Sequence, residues 1–147
     1  GTDWGTTPLK SVLEAELQHF RAGGEHIINI DGPPVELAPN DALSFGLAIH
    51  ELATNAAKYG AFSVPEGRVS VYWTIIDDRT AEVEWREREG PEVKSHRRRG
   101  FGTELIEKIV AHELRNPVQL EFEREGVRCI MRGPVRQRKD FQIRQSG

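Results

Sequence analysis

The feature that most constrains this chain is the segment from Pro39-Asn40-Asp41 to Gly60, where apolar residues recur every three or four positions. Placed on a helix at about 100° per residue, Ala42, Phe45, Gly46, Ile49, Leu52, Ala53 and Ala56 gather on one side. Glu51, Asn55 and Lys58 gather on the other, roughly within a 60° arc. The spacing predicts an anchored helix, with Asn40 as its N-cap and Gly60 closing it. An acid, an amide and an amine in one row suit a metal–phosphate ligand. The amide oxygen can ligate Mg²⁺, the amine can neutralise phosphate, and the acid can take a proton or orient water. A solvated helix face with an i,i+4 polar pair accounts for the same three residues, so the row alone leaves both readings open.

What surrounds the segment limits the fold. A chain of 147 residues is one domain that can bury a real core, and 29% charged residues give it a polar surface. No apolar run reaches the length of a membrane span and no signal peptide opens the chain, so a cytoplasmic location without membrane contact is expected. A net charge of −3 argues against general nucleic-acid binding. The single cysteine, Cys129, excludes an intrachain disulfide; its apolar neighbours Val127, Ile130 and Met131 mark it as a small core residue.

Thr7-Pro8 reads as an N-cap and first helical position, opening a helix to about Phe20. His26–Ile30 reads as a strand, Asp31-Gly32-Pro33-Pro34 as a turn, and Val35–Leu37 as a short extended piece. After the long helix, Val69, Val71 and Trp73 alternate with polar residues. So do Ala81, Val83 and Trp85 with Glu82, Glu84 and Arg86, which predicts an antiparallel hairpin with one wet face. Residues 88–99 carry little pattern and read as a mobile loop. Leu105, Ile106, Ile109, Val110 and Leu114 mark a second amphipathic helix. Val118–Phe122 and Val127–Met131 form a last hairpin, and the composition from Gly133 onward reads as a loose basic tail. This order predicts an α+β sandwich with about three helices over one face of a mixed, mostly antiparallel sheet.

Two more constellations accompany the helix. Glu87 follows Trp85 where a strand runs toward Gly90-Pro91, and a carboxylate there can accept a bond from an exocyclic base amine; taken alone, an exposed acidic strand end is the better account of it. Gly100-Phe101-Gly102-Thr103 opens a helix, so backbone amides and the Thr103 hydroxyl can meet phosphate. Arg97, Arg98 and Arg99 stand just upstream, where they either contact the same phosphates or form a solvated run.

Taken together, these motifs resemble the ATP-binding catalytic domain of sensor histidine kinases, in the ATPase superfamily that also holds gyrase and MutL. The closest likeness is to the bacterial HWE histidine kinases, named for a His in the asparagine box and a Trp-x-Glu in the first glycine box. Those residues are His50, and Trp85 with Glu87. His50 to Ala61 nearly repeats the family's asparagine box, and Gly100 to Ile106 matches its second glycine box; the resemblance runs from about Leu9 to Val135.

The resemblance implies a Bergerat-type ATP-binding sandwich that uses ATP and Mg²⁺. Asn55 would ligate Mg²⁺, Lys58 would contact phosphate and Tyr59 would flank the nucleotide. Glu51 would be the catalytic base or water-orienting acid, with His50 beside it. Glu87 would bind the adenine amine, and Gly90, Arg98, Arg99, Gly100, Gly102 and Thr103 would complete the ATP site, with residues 89–99 as its lid. Residues 1–8 would be a linker or cloning remnant, 9–135 the catalytic domain and 136–147 a basic tail. The phosphate would pass to a histidine on a separate dimerisation domain, then to a response regulator, under control of an upstream sensor domain, PAS- or LOV-type in many relatives. The rival readings are a degenerate module of the same fold that acts through protein contact, and a stand-alone serine kinase of the superfamily; the Trp85-x-Glu87 pair and His50 speak against the second.

One position departs from the family. Glu-x-Gly-Gly-Pro is usual, and here Glu89 stands in place of the first glycine. If that position needs φ > 0, glutamate costs about 1 kcal/mol or more. A second motif misleads. Ala111-His112-Glu113-Leu114-Arg115-Asn116-Pro117 copies the phosphoacceptor box of ordinary histidine kinases. It follows the second glycine box and precedes a strand pattern, so His112 is expected at a helix end, and the acceptor helices are expected elsewhere.

Overall fold

The computed structural model describes residues 5–21, 26–93 and 101–137. A five-stranded mixed sheet forms the floor of the molecule. Its strands are β2 (Ile27–Asp31), β4 (Arg68–Ile75), β5 (Thr80–Arg88), β6 (Gln119–Glu123) and β7 (Gly126–Pro134), in the order β2-β4-β5-β7-β6. Only β2 and β4 run parallel; the other neighbours are antiparallel. A smaller sheet sets β3 (Val35–Leu37) between β1 (Thr7–Pro8) and β8 (Arg136–Gln137).

Alternation builds the two faces. Ala81, Val83, Trp85 and Glu87 of β5 turn inward, where Val69, Val71, Trp73, Cys129 and Met131 join them in the core. The outer face is an ion-pair ladder in which Arg128 meets Glu84 and Glu121, Arg132 meets Glu82, and Arg86 meets Glu123. Such exposed pairs contribute about 0–1 kcal/mol each, so burial of the inner face holds the sheet.

Helices α1 (Leu9–Arg21) and α2 (Pro39–Tyr59) cover that inner face. Leu9, Leu13 and Leu17 of α1 are buried at helical spacing, as are Phe45, Ile49, Leu52, Ala53 and Ala56 of α2. Phe20 stacks on Phe62 at 4.6 Å between centroids, and Phe62 meets Trp85 edge-on at 6.4 Å. The third helical rod has three consecutive pieces: α3 (Phe101–Glu104), a π-helical stretch (Leu105–Val110) and α4 (Ala111–Leu114).

Several local expectations change. Thr7 and Pro8 pair with Leu37 and Glu36, so they form a strand and the helix begins at Leu9. Ala38, in extended backbone, is the N-cap of α2 with Pro39 following, and Asn40 lies inside the first turn, where its carbonyl accepts the Ser44 hydroxyl. Ile109 is 51% exposed although it belongs to the apolar pattern. Bonds to the fifth preceding residue widen the turn, so residues four apart, Ile106, Val110 and Leu114, line the buried side and Ile109 is carried outward. Arg88 is the last residue of β5 rather than loop. Nor is the chain loose from Gly133. Gly133 and Pro134 complete β7, Val135 is buried and donates its amide to the Arg79 carbonyl, and Arg136–Gln137 pair with β3.

Candidate functional site

The polar row on α2 stands at the margin of the core. Leu52, Ala53 and Ala56 are buried beneath it, Glu51 and Asn55 are half-buried, and Lys58 and Tyr59 are exposed. The structure thus keeps the acid, amide and amine in one line along a helix whose other side is locked. His50 turns elsewhere: its Nδ1 lies 3.3 Å from Glu16 Oε2, linking α2 to α1. Sequence reasoning grouped His50 with Glu51, and the structure separates their directions.

Helix α2 ends where the Gly60 amide donates to the Ala56 carbonyl. Gly60 has φ −120°, ordinary for any residue, and what it supplies is room. A Cβ there would lie 2.2 Å from Glu87 Oε1. Glu87 is 4% exposed, well short of a solvent-facing strand end. The register explains this, because residues two apart on a strand share a face, and Glu87 follows Trp85 into the interior. Trp85 donates its indole N–H to Glu87 Oε2 and Ala61 donates its amide to Glu87 Oε1, both at 3.0 Å. The carboxylate therefore ties the end of β5 to the residue that follows the close of α2. Sequence reasoning missed these bonds, although the i,i+2 spacing of Trp85 and Glu87 signals them.

Beyond β5 the backbone turns sharply. Glu89 has φ +60°, in the left-handed region. The condition set by its departure from the family pattern is met: this position takes a glycine conformation, and glutamate there costs about 1 kcal/mol. At Gly90 a Cβ would stand 2.9 Å from Ala61 Cα and 3.0 Å from Ala61 N, so only glycine lets this loop lie against the turn after α2. The expected lid begins in fixed structure, with Val93 buried and donating its amide to the Arg124 carbonyl, and Glu92 paired with Arg124 at 3.3 Å. Arg98, Arg99 and Gly100, with His96 and the rest of the lid from 94, lie outside the described residues. Gly102 and Thr103 fall in the first turn of α3, and Thr103 is buried.

His112 is exposed near the end of α4, where Arg115 caps the helix in left-handed conformation and the β6 strand follows. It lines a cleft of about 530 Å³ with Asn40, Asp41 and Arg115, at the N-terminal end of α2. The rise along α2 from Asp41 to Asn55 is about 21 Å, so His112 and the polar row occupy opposite ends of the helix. Asp41 has its carboxyl pushed up by burial, with Arg115 acting in the other direction. Cys129 is fully buried in β7, and burial, with Glu107 nearby, pushes its thiol up to about 12. Among the described residues no cluster of three or more His, Cys, Asp or Glu forms a metal cage, and no helix is long and apolar enough to cross a membrane.

Comparison with known proteins bears on this arrangement. No family model matches the chain. It is 31% identical over 136 residues to a blue-light-activated histidine kinase of Brucella ovis and 34% identical over 136 residues to that of Brucella anthropi, covering 90% of this chain in each case. It spans only 28% of the length of these relatives. Among solved structures, the histidine kinase domain of an Erythrobacter litoralis blue-light activated histidine kinase superposes with a TM-score of 0.73 at 16% identity, over 91% of this chain and 65% of that one. The mycobacterial sensor histidine kinase MprB gives a TM-score of 0.69 at 20% identity, over 90% of this chain and 99% of that one. The fold is the α+β sandwich of histidine kinase ATP-binding domains.

Proposed function

We propose that the chain is a member of the histidine kinase family and is the ATP-binding catalytic domain of a bacterial two-component sensor kinase, acting with Mg-ATP. The observation that carries this reading is the row of Glu51, Asn55 and Lys58 along α2, joined through Gly60 and Ala61 to Glu87 on β5. Asn55 offers a neutral amide oxygen, which can ligate an ion held mainly by phosphate and water. Bound there, Mg²⁺ would neutralise charge on the phosphates.

The chain's own residues do the rest. Lys58 contacts phosphate and Tyr59 flanks the nucleotide. Glu51 is the base or water-orienting acid, while His50, held at Glu16, braces the helix beside it. Glu87 meets the adenine amine. Gly90 lets the loop approach closely, Gly102 and Thr103 line the phosphates at the start of the third rod, and Gly100, Arg98 and Arg99 are proposed to contact the same phosphates. Transfer relies on positioning and charge neutralisation, since a phosphoryl group in flight needs little covalent help. The γ-phosphate goes to a histidine on the dimerisation domain of the whole protein and from there to a response regulator. A soluble, cytoplasmic working place follows from that partner set.

The test is phosphate incorporation by the full-length protein from γ-labelled ATP. Wild type is expected to gain an acid-labile, alkali-stable phosphohistidine, and Asn55→Ala to gain none. Labelling of Asn55→Ala at the wild-type rate would contradict the assignment. The left-handed Glu89 favours a second reading, a degenerate module of the same fold acting by protein contact. That reading expects no labelling by wild type either.

A further inference from the structure

We propose that Trp85 is a positioning residue for nucleotide recognition: its indole N–H, with the Ala61 amide, aims the Glu87 carboxylate at the base. The proposal rests on the reading that Glu87 meets the adenine amine. It adds a residue, and a reason why tryptophan rather than another large apolar side chain stands two positions before that glutamate.

The geometry is specific. Trp85 is fully buried, and its ring meets Phe62 edge-on. A buried indole N–H needs an acceptor. Here the acceptor is Glu87 Oε2 at 3.0 Å, on the same face of β5. The other oxygen, Oε1, takes the Ala61 amide at 3.0 Å. One bond to each oxygen fixes both the place and the plane of the carboxylate, which a single bond leaves able to swing. The glutamate side chain has one methylene more than aspartate and hence one more torsion to restrain. The Trp85 and Ala61 donors supply that restraint from two sides.

The same two bonds join recognition to the phosphate side. Ala61 is the first residue past Gly60, where the helix bearing Asn55 and Lys58 stops. A carboxylate drawn toward a base is thereby drawn against the end of that helix. Gly60 completes the seat, since any side chain there would strike Oε1.

The experiment titrates this chain with Mg-ATP and with Mg-purine-riboside triphosphate, which lacks the 6-amino group, using calorimetry. Wild type is expected to prefer ATP by about tenfold or more, the worth of one charge-assisted hydrogen bond. Trp85→Phe keeps a ring and loses the N–H. It is expected to lower that preference at least about threefold while binding the purine-riboside compound within about twofold of wild type. Equal weakening of both nucleotides would mean that Trp85 serves the core only, and would overturn the proposal. Should Trp85→Phe fail to fold by circular dichroism, Gly60→Ala displaces the same carboxylate with the indole intact; retention of the full preference in Gly60→Ala overturns the proposal as well. If wild type binds both nucleotides alike, Glu87 does not read the amine and the proposal falls while the ATP site stands. If wild type binds neither, the ATP-binding reading itself falls.

Discussion

Glu89 holds a backbone conformation that glycine adopts at no steric cost, with φ +60°. Relief of that cost is offset in part by the extra freedom glycine gives the unfolded chain. Glu89→Gly is therefore expected to raise stability by a few tenths of a kcal/mol to about 1 kcal/mol, read as a higher urea midpoint at unchanged m-value. A lowered midpoint would show that the side chain contributes more than its backbone costs. Cys129 gives a second test at this scale. With its thiol pushed up to about 12, roughly one molecule in ten thousand carries a thiolate at pH 8. Because the folded value is the raised one, the thiolate becomes available only near pH 12 or on unfolding. Labelling with a disulfide reagent at pH 8 is expected to follow the denaturation curve, whereas prompt labelling of native protein would contradict the burial.

Helix α2 is the element on which core and site depend together. Leu52 is buried under the polar row and Leu43 is 71% exposed on the same helix. Leu52→Ala is expected to cost about 2–5 kcal/mol and Leu43→Ala to stay within about 0.5 kcal/mol, by urea denaturation. Similar costs at both positions would mean that the buried side has been misassigned. Most of this helix was legible in the sequence because apolar spacing reports burial directly, from Phe45 to Ala56. Its start was not. A proline at the first helical position removes one orphan amide and presets φ, and the helix starts after Ala38 without a side-chain cap, where Asn40 looked better suited. The third rod escaped for a different reason. Its composition suits an ordinary amphipathic helix, and only the widened turn at Leu105–Val110 decides that Ile109 faces out. The burial of Glu87 was not legible, since two bonds from Trp85 and Ala61 make interior what a charged strand end suggests is wet.

At the scale of the molecule, one sheet with helices on a single face leaves the other face to charged pairs, and puts the polar row and His112 at opposite ends of α2. That separation gives a prediction for the full-length protein: His112→Ala is expected to retain autophosphorylation at close to the wild-type level. Loss of phosphate incorporation with ATP binding preserved would make His112 the acceptor after all. The chain spans 28% of the length of the blue-light-activated histidine kinases it matches, so the full-length protein is the one to test. The central claim, that the row on α2 and the carboxylate on β5 form one Mg-ATP site, is tested most directly by calorimetry of this chain with ATP, with and without Mg²⁺. The expected result is saturable, Mg²⁺-dependent binding that Asn55→Ala abolishes; the absence of detectable heat at millimolar nucleotide would contradict it.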